Sequence, residues 1–209
     1  MQKNKMKKLT LVTTLLTLAP MLLGIMVYSQ LPAKIAIHFG VDNEPNGWAN
    51  RPLAVFGIPV LMALVQLFIM WTSTRSSRIN GGSRRMEMVT IAIVPILTVV
   101  LYIITIALAL GAKVDVGRIA MFVVAITFIA LGNYIPTVTY EQQTAMRPFR
   151  IMRNQKNWGL VSRMTGYVMV FGGLLVVISL FISPVLAAVV LGIVVVIMLS
   201  VSIYGSLKK

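Results

Sequence analysis

The sequence contains no cysteine, so disulfides, thiolate metal sites and cysteine nucleophiles are excluded. It contains one histidine, which excludes a multi-histidine metal site as well. Charge is scarce. Asp, Glu, Lys and Arg make up 11% of the 209 residues, with 5 acidic side chains against 19 basic ones. A water-soluble domain carries about 25% charged residues, so this chain lacks the polar surface to coat a soluble globule. Apolar residues instead account for 58% of it, and its mean hydropathy is +0.89. A net charge of +14 in a soluble protein would point to a nucleic-acid partner. In so apolar a chain it points first to a membrane.

Crossing about 30 Å of hydrocarbon takes about 20 apolar residues. Six stretches meet that requirement: Leu9–Tyr28, Leu53–Thr72, Met88–Leu110, Ile119–Val138, Met164–Ser183 and Pro184–Tyr204. None contains Lys, Arg, Asp, Glu or His. The expected fold is therefore an all-α integral membrane protein of six transmembrane helices. The basic start and apolar run of the first stretch also suit a signal peptide, but 20 apolar residues exceed the usual h-region of about 7–15. Retention as a helix is expected.

The connections alternate in charge. One side collects Lys3, Lys5, Lys7 and Lys8, then Arg75, Arg78, Arg84 and Arg85, then Arg147, Arg150, Arg153, Lys156 and Arg163, and last Lys208 and Lys209. The other side holds only Lys34, Arg51, Lys113 and Arg118. The positive-inside rule places both termini in the cytoplasm. Most of the net charge thereby becomes a statement of orientation, and the basic inner loops attract anionic lipid. No module for presenting nucleic-acid bases accompanies them, so direct nucleic-acid binding is not expected.

The largest outer segment is the loop of residues 29–52. Ile35, Ile37 and Phe39 alternate with Lys34, Ala36 and His38, the period of a short strand. Asn43, Pro45, Asn46 and Gly47 follow as turn chemistry, and Trp48 suits the membrane–water interface. A short extended piece and a turn are expected there. The other outer turn, Gly111–Gly117, is too short to hold a site alone. Inside, residues 73–87 read as a solvated linker. Residues 139–163 interleave Phe149, Ile151, Met152, Trp158, Leu160 and Val161 with five basic residues. Wound as one helix these apolar residues share no face, so a bent segment at the membrane surface is expected. Two units follow: residues 1–87, with two helices and the outer loop, and residues 88–209, with four helices and the longer inner loop.

No catalytic set is visible, and no enzyme activity or cofactor is expected. The spans hold no ionisable residue, which argues against a proton-coupled carrier, an intramembrane protease and a metal transporter. Gln66 and Asn133 are expected to bridge helices. The threonines at 10, 13, 14 and 17, Gly172-Gly173, and the pairs Ser179/Ser183 and Ala188/Gly192 read as helix-packing features. Pro59, Pro95 and Pro136 fall within or near span ends, where membrane helices tolerate them. His38, Asp42 and Glu44 match no metal-ligand spacing and read as a solvated loop.

Two segments resemble a known family. Leu31-Pro32, Ile37-His38-Phe39 and Gly47-Trp48 look like the short N-terminal domain often found in it. Leu131-Gly132-Asn133-Tyr134-Ile135-Pro136 is similar to the GNY-P signature of the SdpI family. The likeness continues at Arg147, Asn154, Trp158, Arg163 and Gly166, and departs at Ala145, Pro148-Phe149 and Ser162. The family includes immunity proteins against a secreted sporulation-delay toxin. The resemblance implies a multi-pass protein of the bacterial cell membrane that protects against an extracellular membrane-active peptide and captures a cytoplasmic repressor at the membrane. On this basis Ile37, His38, Phe39 and Trp48 are expected to face the toxin. Arg147, Asn154, Trp158 and Arg163 are expected to shape the repressor-docking surface. A small permease-like transporter and a structural subunit of a membrane complex remain alternatives.

Overall fold

The computed structural model describes residues 2–40, 43–76, 82–145 and 155–207. Six helices in it are long and apolar enough to cross a membrane, so the protein is a multi-pass helical membrane protein, as the apolar runs require. The helices are α1 (Gln2–Leu18), α2 (Met21–Met26), α3 (Ile58–Ser76), α4 (Arg84–Ala109), α5 (Val116–Tyr134), α6 (Tyr140–Ala145), α7 (Gln155–Leu180) and α8 (Pro184–Leu207). Two strands, β1 (Lys34–Phe39) and β2 (Pro45–Asn50), form one antiparallel hairpin.

The first span, Asn4–Met26, is broken rather than continuous. Proline has no N–H, and its ring collides with the carbonyl of the preceding turn, so α1 stops before Pro20. The chain re-enters as α2 through bonds from Leu22 N to Ala19 O (3.1 Å) and Leu23 N to Pro20 O (3.0 Å). The threonines of α1 pack without bonding across helices. Thr13 and Thr17 are buried, but their hydroxyls bond back to Leu9 O (3.0 Å) and Thr13 O (2.8 Å) of their own helix.

The hairpin is larger than the extended piece and turn expected. Asn43 does occupy a turn, with a φ of 64°, a left-handed conformation that Asn tolerates better than most residues. Pro45, Asn46 and Gly47, expected in the same turn, are strand residues. Cross-strand pairing overrides their weak strand propensity, and Pro45 is tolerated because it opens its strand. The register pairs Ile35 with Ala49 and Ala36 with Trp48, then breaks between Ala36 and His38 and again between His38 and Phe39. Such irregularities re-aim side chains. The simple alternation therefore fails: Ile35 is fully buried while Ile37 is exposed.

Contacts divide the chain into two compact units, residues 1–71 with 91–117 and residues 72–90 with 118–209. In the first, Leu31, Ile35 and Ala49 bury against Ala54, Val55, Tyr102 and Ile106, which seats the hairpin on helix ends. A π-helical turn at Leu53–Gly57 opens α3, and Tyr102 Oη donates to Val55 O in it (3.2 Å). Gly24 is required here, because a Cβ would fall 2.0 Å from Tyr102 Oη. Gln66 bridges helices as expected: wholly buried, it donates from Nε2 to Ile91 O of α4 (3.2 Å).

In the second unit, Ala125 of α5, Val176 and Leu180 of α7 and Ala187 of α8 form a common core. Gly172 and Gly173 permit close approach, since their Cβ positions lie 2.6 Å from Val194 and 2.9 Å from Ala125 O. Gly192 has open space around it and takes no part in this packing.

Candidate functional site

Two loci contain the residues singled out in the sequence. The first is a cleft of about 640 Å³ beside the hairpin. One wall is the sheet face that carries Ala36, Phe39 and Trp48; the other is the end of α4 and the turn after it, with Leu108, Ala112 and Lys113. The turn at 111–117 holds no site alone, but the hairpin supplies what it lacks.

Three sets of contacts fix the cleft walls. Underneath, the apolar cluster around Ile35 holds β1. At the hairpin base, Arg51 donates from its backbone to Ala33 O (2.9 Å), from Nε to Pro32 O (3.3 Å) and from Nη1 to Tyr28 O (3.2 Å). Its guanidinium lies 5.2 Å from the centre of the Tyr28 ring, within cation–π reach. At the hairpin tip, Asn43 Oδ1 accepts from Gly117 N (3.1 Å) and Nδ2 donates to Val114 O (3.5 Å). The first amides of a helix lack intrahelical acceptors, and Asn43 supplies one to α5 from a distant segment.

Asn43→Ala should therefore loosen the tip in two ways. It removes both bonds, at about 0.5–1.5 kcal/mol for a typical hydrogen bond, and it puts a residue that disfavours a left-handed backbone at φ 64°. Asn43→Gly should lose the bonds alone. Hydrogen exchange at the hairpin amides is expected to be fastest in the Ala variant, intermediate in the Gly variant and slowest in the native protein.

Of the four residues expected to face a toxin, Phe39 and Trp48 line the cleft. Ile37 and His38 are exposed but lie off it. His38 Nδ1 is engaged with Asn46 Oδ1. Asp42 lies outside the described residues. The sequence reading missed Lys34, Asn43, Lys113 and Asp115, all of which line the cleft. A cluster of polar residues in two short connecting segments was their only signal.

The second locus gathers the GNY-P motif with residues of α7. Pro136 ends α5 and leaves the carbonyl of Gly132 without its usual N–H partner. That carbonyl faces Gly166 of α7: a Cβ on Gly166 would lie 2.7 Å from Gly132 O and 2.7 Å from Pro136 Cγ. Reciprocally, a Cβ on Gly132 would lie 2.6 Å from Met169 Cβ and 2.9 Å from Gly166 O. Two backbones thus touch where any side chain would separate them. Just beyond, Trp158 is 5% exposed and donates from Nε1 to Val138 O (2.7 Å). The bent surface segment expected over residues 139–163 does not hold for its last part, which is helical. Residues 155–163 belong to α7, and Trp158 packs with Val138 and Val161.

Around this contact runs a polar network. Ser83 Oγ caps α4 by accepting from Met86 N (3.2 Å) and meets Thr137 Oγ1, which donates to Tyr134 O (2.6 Å). Gln142 is buried and grips the Ser83 backbone twice, accepting from its N–H (2.7 Å) and donating to its carbonyl (3.3 Å). Asn157 Nδ2 donates to Gly205 O of α8 (3.0 Å). Asn133 is exposed and has no hydrogen-bond partner among the described residues, so it does not bridge helices as expected. Tyr134 is partly buried and Arg163 exposed; Arg163 and Trp158 lie on different faces of α7. Arg147 and Asn154 lie outside the described residues.

Fold and sites together define a multi-pass helical membrane protein with a small two-stranded cap over one cleft. Comparison with known proteins refines this class. The family described as Domain of unknown function (DUF1648) matches residues 15–63, the segment running from α1 through the hairpin into α3. The chain is also similar to the Immunity protein SdpI of Bacillus subtilis (strain 168), at 24% identity over 176 residues, or 84% of this chain and 83% of that protein. It is a homologue of that immunity protein. No solved structure matches.

Proposed function

We propose that this chain is a non-enzymatic membrane immunity protein that protects its cell from a secreted membrane-active peptide. The observation that carries the reading is the similarity to an immunity protein along 84% of the chain. The cap and its cleft supply a recognition surface of the kind the function needs. The orientation follows from charge. With 15 of the 19 basic residues on one side, both termini lie in the cytoplasm and the hairpin lies outside, where a secreted peptide first meets the protein.

Toxin sensing with capture of a cytoplasmic repressor is the second half of the proposal. It rests on the family resemblance of Arg147, Asn154, Trp158 and Arg163. Because Trp158 is buried, its part is to position the segment that docks, while the exposed Arg163 is free to contact a partner.

Expressing the chain in a toxin-sensitive bacterium tests immunity directly. Survival should rise by orders of magnitude over cells carrying an empty vector. Unchanged killing by every candidate peptide, with the protein present in the membrane, would overturn the reading.

A further inference from the structure

We propose that the cleft beside the hairpin recognises a carboxylate-bearing apolar segment of a peptide: apolar side chains between the sheet and the end of α4, and the carboxylate between Lys34 and Lys113. The inference deepens the immunity reading and rests on it for the identity of the ligand as a peptide.

Four observations converge. The volume of about 640 Å³ lies within the range of about 300–1,000 Å³ for small-ligand sites. The walls offer Phe39 and Trp48 opposite Leu108 and Ala112, aromatic and aliphatic anchors of the sort that dominate recognition surfaces. The walls are also preformed, held by Arg51, Asn43 and the buried cluster around Ile35, so little order has to be imposed on binding.

The fourth observation concerns charge. Topology selects against basic residues outside, and only four are found there: Lys34, Arg51, Lys113 and Arg118. Two of the four line this one cleft. Arg51 is committed to the carbonyls of Tyr28 and Pro32. Lys34 and Lys113 are exposed and have no partner among the described residues. Two uncommitted ammonium groups on the rim of an apolar cleft suit an anion attached to an apolar body. Asp115 shares the rim. With Lys34 and Lys113 it leaves the rim at a net +1, which suits a singly charged carboxylate, and the immunity reading makes a peptide its bearer.

The test uses the full chain in phosphatidylcholine nanodiscs. The probe is the synthetic tetrapeptide acetyl-Leu-Phe-Leu-Phe with a free carboxyl end, compared with the same peptide amidated. Trp48 emission reports binding, with Trp48→Phe as the control for the signal. The carboxylate form should shift the emission. Amidation, or the exposed double substitution Lys34→Gln with Lys113→Gln, should weaken binding about tenfold, the scale of one charge-assisted contact. Equal binding of both peptides, or undiminished binding by the double variant, overturns the proposal. So does the same emission shift on adding phosphatidylglycerol to the nanodiscs without peptide, because that outcome identifies a lipid site.

Survival assays separate this proposal from the immunity reading. If the native chain protects cells and the double variant protects equally, the cleft assignment fails and immunity stands. If the native chain fails to protect while carboxylate-dependent binding persists, immunity fails and the cleft assignment stands.

Discussion

Replacing Trp158 with Ala is expected to destabilise the protein by about 3–5 kcal/mol, the usual cost of truncating a buried Trp. The loss has two parts. The indole fills the space between Val138 and Val161, and its Nε1 satisfies the carbonyl of Val138. That carbonyl follows the short turn Ile135–Thr137 and would be left buried without a donor. Trp158→Phe keeps most of the ring and loses the bond, so it should cost far less than Trp158→Ala. Thermal unfolding of the purified chain in detergent should rank native above Phe above Ala. The amount of the Ala variant in membranes should fall severalfold, since losses of this size change cellular abundance. If Trp158→Ala unfolds with the native midpoint, the residue is not the packing element described here. Any loss of repressor recruitment in this variant therefore has to be compared with the Phe variant at equal protein levels.

The second large effect is expected at Gly166. A methyl group there would lie 2.7 Å from Gly132 O and 2.7 Å from Pro136 Cγ. Both neighbours belong to backbone or a proline ring, so neither can swing aside as a flexible side-chain tip would. Overpacking of this kind costs about 1–3 kcal/mol for a small addition, and Gly166→Leu should exceed that and separate α5 from α7. Gly159 is the internal control. It lies in the same helix, and nothing stands within 4 Å of its Cβ position. Gly159→Ala should be neutral or stabilising, since Ala is favoured over Gly in a helix interior by about 0.8–1.0 kcal/mol. Equal tolerance at both positions would contradict the backbone contact between Gly132 and Gly166.

This pair of glycines shows where the sequence is legible and where it is not. The six spans are readable because a bilayer demands uninterrupted apolar length, and each run advertises it. The expected orientation is read from the charges in the same way. Whether a glycine is a contact or merely a gap depends on which helix lies opposite, and no local pattern records that. The strand β2 was hidden because Pro45-Asn46-Gly47 carries turn chemistry; only the pairing of Ala49 with Ile35 and the anchor at Arg51 make it a strand. The burial of Trp158 was hidden because charged residues surround it in sequence, while in the helix Lys156 and Arg163 are exposed and Trp158 faces inward. The cleft was the least legible feature. It joins the loop that holds Phe39 and Trp48, where a site is expected, to residues 108–115, which are too short to suggest one, and Asn43 links them through amides that a sequence does not pair.

If this fold, with its small cap, confers immunity to a secreted peptide, cells that carry it should outlive cells that do not. The most direct measurement is survival of a toxin-sensitive bacterium expressing the native chain and, in parallel, the Lys34→Gln/Lys113→Gln variant, with membrane levels of both proteins matched. The native chain should protect, and the variant should lose most of that protection. Killing that proceeds equally with and without the native chain, at normal membrane levels, would contradict it.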